Sequence, residues 1–147
     1  MKFNLISHSF IGKSTGYYNT KKDCLIGGGE VYLYDLAKFL LKEGHDVTII
    51  QGREREKEFK FDGIKVRGFK PLMRLKGAKG IIERYVFFNM EWKKYLDKDV
   101  DRVHLHDFFH GFPNAKKNMT GTCHGITWDN PYFKQWNSQG IQLRLYR

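Results

Sequence analysis

Three groups of residues have types and spacings that could do chemistry. The first is Gly27-Gly28-Gly29, which runs into the amphipathic stretch "EVYLYDLAKFLLKEG" from Glu30 to Gly44. Glycines adopt unusual dihedrals and, lacking a Cβ, let a ligand come close to the backbone. A helix start behind them offers unpaired N–H groups and a positive dipole end, which together suit a phosphate. Glu30 in the first turn favours the dipole but opposes an anion beside its own side chain. A linker that only needs room to turn fits the same residues. No Gly-Lys-Ser/Thr follows the triplet, so it is not a P-loop, and the segment before it is too long for a dinucleotide-binding fingerprint. Gly12-Lys13-Ser14 lies upstream, but the P-loop's first glycine would then fall on Ser7.

The second group is His104, His106, Asp107 and His110 in "VHLHDFFHGF", and the third is His124 with Gly125. His106-Asp107-x-x-His110 has the outline of a metal site. A complete ligand set would need a further carboxylate or imidazole, which the local sequence lacks. No metal is therefore expected, and a histidine at a strand end touching a sugar hydroxyl is the better reading. His124 is exposed at a sheet edge in this scheme, where capping a turn would suit it equally well.

The elements that must position these groups follow from hydrophobic periodicity. "FNLIS" from Phe3 to Ser7 reads as a central buried strand, and His8 to Gly29 reads as a long loop. Val31, Leu33, Tyr34, Leu36, Ala37, Leu40 and Leu41 form a helical stripe that Gly44 ends in a left-handed conformation. "DVTII" from Asp46 to Ile50 is a β-branched strand. Gly52 to Gly63 reads as a solvated hairpin or loop, and Ile64 to Phe69 as a third strand. Ile81, Ile82, Tyr85, Val86, Phe88, Trp92, Tyr95 and Leu96 predict a second helix from Gly80 to Leu96. Strands follow at Arg102 to His106 and through "MTGTCHG" to Gly125. The result is an α/β chain with a Rossmann-like open parallel sheet flanked by helices, in one domain over 1–147. Ligands of such sheets bind beyond the strands' carboxyl ends. All three groups converge on that edge.

Composition sets the outer bounds. A chain of 147 residues can bury a core, and no apolar run nears the roughly 20 residues that cross a bilayer. Cys24 and Cys123 are far apart and read as reduced thiols of a cytoplasmic protein. The formal charge of +10 favours anionic partners: nucleic acid, a lipid surface or a phosphorylated ligand. Lys70, Arg74, Lys76 and Lys79 flank the second helix and are left to meet lipid or solvent. Without a recognised nucleic-acid motif, a basic nucleic-acid-binding or peripheral membrane module without catalysis is the alternative reading.

Taken together, Gly27-Gly28-x-Glu30, then Leu36-Ala37, Leu40 and Gly44-His45-x-Val47, resemble the N-terminal domain of GT-B-fold glycosyltransferases of family four. "DRVHLHDF" and "TGTCHGITW" are similar, in order and spacing, to two later motifs of that family. The resemblance implies a retaining transferase that uses a nucleotide-sugar donor, with no cofactor and no required metal. It places Gly27, Gly28 and Gly29 at the donor's diphosphate, His124 beside the transferred sugar, and His106 and Asp107 on the acceptor side. It also implies a membrane-adjoining basic domain and a second, nucleotide-binding domain that this sequence does not contain. The expectation is an incomplete first domain, silent alone, that needs a C-terminal domain or subunit.

Overall fold

Burial deepens along "KFNLIS", from exposed Lys2 to fully buried Leu5 and Ile6, because a strand flanked on both sides must hide both of its faces. The computed structural model describes residues 1–12, 18–20, 23–25, 28–52, 57–69, 87–106 and 118–122. In chain order these form β1 (Lys2–Ser7), β2 (Ile11–Gly12), β3 (Tyr18–Thr20), β4 (Asp23–Leu25), α1 (Gly28–Lys42), β5 (Asp46–Gln51), β6 (Lys57–Phe61) and β7 (Ile64–Gly68). A short helix α2 (Phe88–Glu91) then tightens into a 3₁₀ turn, Trp92–Tyr95, followed by β8 (Arg102–Leu105) and β9 (Met119–Gly121).

The main sheet runs β6-β7-β5-β1-β8-β9. β1 pairs in parallel with β5 and β8, β5 with β7, and β8 with β9. β6 departs from the expected all-parallel sheet: it is antiparallel to β7, so the charged segment before Gly63 is a hairpin rather than a loop. Its turn is Asp62-Gly63, with φ of 46° and 82°, the two positive values a type I′ hairpin needs. Among the described residues β6 is an edge strand, and exposed Glu58 and Lys60 put charge on it, which discourages pairing with another chain.

Successive residues of β1 feed two different cores. Leu5 joins Val47, Ile49, Ile64 and Val66 beneath Leu33, Ala37 and Leu40 of α1. Ile6 joins Ile50, Phe69, Val103 and Leu105 beneath Phe88 and Trp92. Each large apolar side chain fully withdrawn from water contributes about 1.5–3 kcal/mol. The apolar stripe of α1 therefore packs as its periodicity predicts; of the second stripe, Phe88, Trp92, Tyr95 and Leu96 pack on the sheet, but from a short helix and a 3₁₀ turn rather than from one helix continuing to Leu96. Residues 80–86 of the predicted second helix, and Lys70, Arg74, Lys76 and Lys79, lie outside the described residues.

α1 ends as its sequence requires. Gly44 has φ 79°, its N–H bonds Leu41 O at 3.0 Å, and the His45 N–H reaches Leu40 O at 3.0 Å, a Schellman closure. The stretch from His8 to Gly29 differs from the long loop expected. β2, β3 and β4 make a small antiparallel sheet in the order β2-β4-β3, and the helix takes in Gly28 and Gly29.

A polar cluster fastens the face opposite α1. The buried side chain of Asn4 donates to Asp97 Oδ2 at 2.7 Å and accepts from the Asp97 N–H at 2.8 Å. Arg67 Nη2 reaches Asp97 Oδ1 at 2.9 Å, and the same guanidinium donates to Glu58 and to the Tyr95 carbonyl. Burial raises the Asp97 pKa, but hydrogen bonds from Asn4, Arg67 and Thr48 and the Arg67 charge outweigh it, so the net shift is downward. A lowered carboxylate pKa adds stability above its unfolded value near 3.9, lost as pH falls through the folded value. Thermal unfolding between pH 7 and pH 2.5 should show the stability dropping below about pH 4. Asp97→Asn should be less stable at pH 7 and lose less on acidification; an equal loss would remove Asp97 from the acid response.

Candidate functional site

The carboxyl ends of β1, β5, β7, β8 and β9 share one edge, and α1 begins at it. Two contacts fix that meeting. Ser9, after β1, donates to Glu30 Oε1 in the first turn of α1 at 3.1 Å. Thr122, just past β9, donates to the Tyr32 hydroxyl at 3.3 Å. The segments leaving β1 and β9 are thus both tied to the first turns of one helix.

Gln51 closes β5 and fixes the chain beyond β1. Its buried Oε1 accepts the N–H groups of Phe10 at 3.1 Å and Ile11 at 2.9 Å, and its carbonyl accepts the Phe69 N–H at 2.9 Å. One carboxamide so satisfies two buried amides. Beside it, an alanine Cβ at Gly52 would stand 2.4 Å and 2.6 Å from ring carbons of Phe88. That ring is fully buried, stacked on Phe69 at 5.4 Å and edge-on to His8 at 5.5 Å. Ser7 donates to the Ser9 carbonyl at 2.6 Å, turning the chain sharply after the strand.

Gly28 and Gly29 lie in the first turn of α1, and the left-handed glycines among the described residues are Gly44 and Gly63. Their dihedral freedom is therefore not used; what they offer is a helix start free of side chains. The amides of that turn carry the partial positive charge of the dipole. The Ser9 hydroxyl holds the Glu30 carboxylate on the β1 side.

His106 is 7% exposed at the end of β8, its N–H continuing the ladder to Ile6 O at 2.8 Å. His104 is paired in register with Leu5 and so lies on the α1 face. Its Nδ1 is 3.0 Å from Thr120 Oγ1 and its Nε2 2.9 Å from Thr122 Oγ1. Both nitrogens are thus held by hydroxyls of the neighbouring strand. Gly27, Asp107, His110 and His124 lie outside the described residues, among which no three His, Cys, Asp or Glu side chains gather as a metal centre would require. Gln51, Tyr32, Thr120 and Thr122 escaped the sequence reading. The signal for Gln51 was a lone amide closing an apolar strand; the others depend on strand register, which sequence does not display.

The family model described as Glycosyltransferase Family 4 matches residues 26–147, beginning one residue before the glycine triplet. The structure is similar to that of sucrose-phosphate synthase from Thermosynechococcus elongatus, with a TM-score of 0.63 and 14% sequence identity. The alignment covers 98% of this chain and 39% of that one, so the chain spans well under half of that enzyme's length. The likeness concerns the fold. No curated protein matches the sequence significantly.

Two substitutions check the construction of this edge. Gln51→Leu strands two buried donors and should lower stability by about 3 kcal/mol in urea unfolding, whereas Gln51→Glu, which keeps an acceptor, should lose less. Gly52→Ala forces a clash with a ring that cannot retreat and should cost about 1–3 kcal/mol in the same measurement. Wild-type stability in Gln51→Leu would show that the two amides find other partners.

Proposed function

Because the chain belongs to glycosyltransferase family 4, we propose that it is the acceptor-side, N-terminal part of a two-domain transferase. It moves a sugar from a nucleotide-sugar donor to an acceptor with retention at the anomeric carbon. The observation that supports this most directly is the tie between Thr122 and Tyr32, which brings the exit of β9 to the first turns of α1. Thr122 precedes His124 by two residues, a covalent reach of about 7 Å at most. The glycine-bearing helix start and the histidine that follows β9 can therefore serve one cleft.

In this reading the amides of Gly27, Gly28 and Gly29 receive the donor's diphosphate, where the helix dipole favours negative charge. As the bond from the anomeric carbon to the diphosphate breaks, its electron pair leaves on the phosphate oxygen. An acceptor hydroxyl oxygen forms the new bond on the same face of the sugar, and its proton passes to the departing phosphate oxygen. His124 contacts the transferred sugar, and His106 and Asp107 line the acceptor side. The chain works without a cofactor or metal ion, its leaving group neutralised by cations of a C-terminal nucleotide-sugar domain or subunit. Alone, this chain is inactive. The charge of +10 suits work on the cytoplasmic side of an anionic membrane surface.

The test is transfer in the presence of a completing C-terminal domain, with labelled sugars supplied on several nucleotides. Transfer should appear, and His124→Ala should lower it by about 100-fold. Undiminished transfer by that variant would take His124 out of the mechanism. Binding to duplex DNA that weakens steeply with salt, with no transfer under any condition, would favour the nucleic-acid alternative.

A further inference from the structure

Accepting the donor cleft just described, on which this step rests, we infer that His104 is a positioning residue. Its imidazole, clamped between Thr120 and Thr122 and extended through Thr122 to Tyr32, sets where the chain leaves β9 relative to the start of α1.

Three observations carry it. β9 is short and, among the described residues, the outermost strand, with Met119 half-buried and Thr120 and Gly121 exposed, so apolar packing holds it weakly. Its main chain is fastened by the pairing with β8, by Val103 N–H to Asn118 O at 3.1 Å and by Thr122 N–H to Leu105 O at 3.0 Å. A ladder of this length fixes the strand's height in the sheet and leaves the direction of its exit loosely set.

The side-chain clamp adds what the ladder lacks. His104 sits opposite Thr120 in register, and its ring bridges to both threonines, at 3.0 Å and 2.9 Å. A neutral imidazole has one donor and one acceptor. When the Thr122 hydroxyl donates to Tyr32, it accepts from Nε2–H, and Nδ1 accepts from the Thr120 hydroxyl. Every member of the chain is then satisfied in one arrangement.

Tyr32 lies one turn beyond Gly28, and helical side chains lean toward the N-terminus of their helix. The clamp therefore ends over the turn that holds Gly28 and Gly29. His104 acts through Thr122 and touches no reacting atom in this scheme. Its effect is to keep two segments in step: the one that offers amides and the one that continues to His124.

Hydrogen exchange on the full chain tests the proposal, together with calorimetric binding of inorganic pyrophosphate, as a probe of the cleft, to the chain completed by a C-terminal domain. In His104→Ala and Thr122→Val, exchange over residues 119–125 should quicken about tenfold and pyrophosphate affinity should fall about fivefold, the size expected for one or two lost hydrogen bonds. Thr122→Ser, which keeps the hydroxyl, should restore both within twofold. Because a merely structural role would also lower the thermal midpoint, rescue by serine and confinement of the change to 119–125 are the deciding signs. Unchanged exchange in His104→Ala overturns the proposal. So does faster exchange with intact pyrophosphate affinity, if His124→Ala does weaken that affinity. If wild type does not bind pyrophosphate at all, the donor-cleft reading fails, and the localised exchange with its serine rescue alone decides whether His104 holds the β9 exit.

Discussion

A parallel sheet delivers every strand's carboxyl end to the same edge, and the helix that carries the chain back must begin there. This constraint underlies the whole arrangement. β1 has to be continuous and buried, since β5 and β8 both pair with it and the sheet divides its connections on either side. The return through α1 puts Gly28 and Gly29 at the edge with no further instruction. What the constraint does not supply is order in the segments that leave the strands. Gln51 supplies it after β1, by accepting the Phe10 and Ile11 amides, and the His104 clamp supplies it after β9.

The polar cluster and the carboxyl edge are fastened by different sets of groups. Among the described residues, the ionised groups with displaced pKa values gather on the β6–β7 hairpin and the Asp97 cluster that it meets. Glu58, lowered chiefly by its hydrogen bond from Arg67, joins the β6–β7 hairpin to the Asp97 cluster. Asp62 is lowered by the Tyr34 hydroxyl and by Lys38, which reaches its carboxylate at 3.0 Å and pins the hairpin turn to α1. At the carboxyl edge the fixing groups described are the Gln51 amide, the Ser9, Thr120, Thr122 and Tyr32 hydroxyls, the His104 imidazole and one carboxylate, that of Glu30. An amide or a hydroxyl orders a segment without cancelling a helix dipole. Formal charges there would compete with any anion the amides attract.

Much of this was legible in the sequence, and what was not has physical causes. The central strands β1 and β5 showed themselves because two buried faces demand unbroken apolar runs, as in Leu5-Ile6 and Ile49-Ile50. Gly44 announced a helix end because few other residues take φ near 79° without strain. β2, β3 and β4 stayed hidden because strands of two or three residues are too short to display alternation. β6 hid behind its charges; Phe59 and Phe61 alternate inward, while Lys57, Glu58 and Lys60 mask the period. His104 looked like a member of a metal-like cluster when read along the chain. Its partners lie 16 and 18 residues away, and only the β8–β9 register brings them to it. For the site, Gly28, Gly29 and His106 fall on the expected edge, while Gly27, Asp107 and His124 belong to stretches outside the described residues.

Glu30 sharpens what the helix start can do. Its carboxylate stands in the first turn of α1, where the dipole rewards a negative charge by about 0.3–1 kcal/mol. A phosphate about 4 Å from that carboxylate would meet a repulsion of about 4 kcal/mol in a surface-like dielectric, several times the dipole's attraction. The helix start therefore cannot hold an anion on the Glu30 side. By accepting from Ser9, the carboxylate is drawn toward the chain leaving β1, which leaves the Gly28–Gly29 side for approach. Even there, a diphosphate carries more charge than half a unit of dipole can balance. In the reading proposed above, the cations that balance it come from a second domain, which would form the other wall of the cleft.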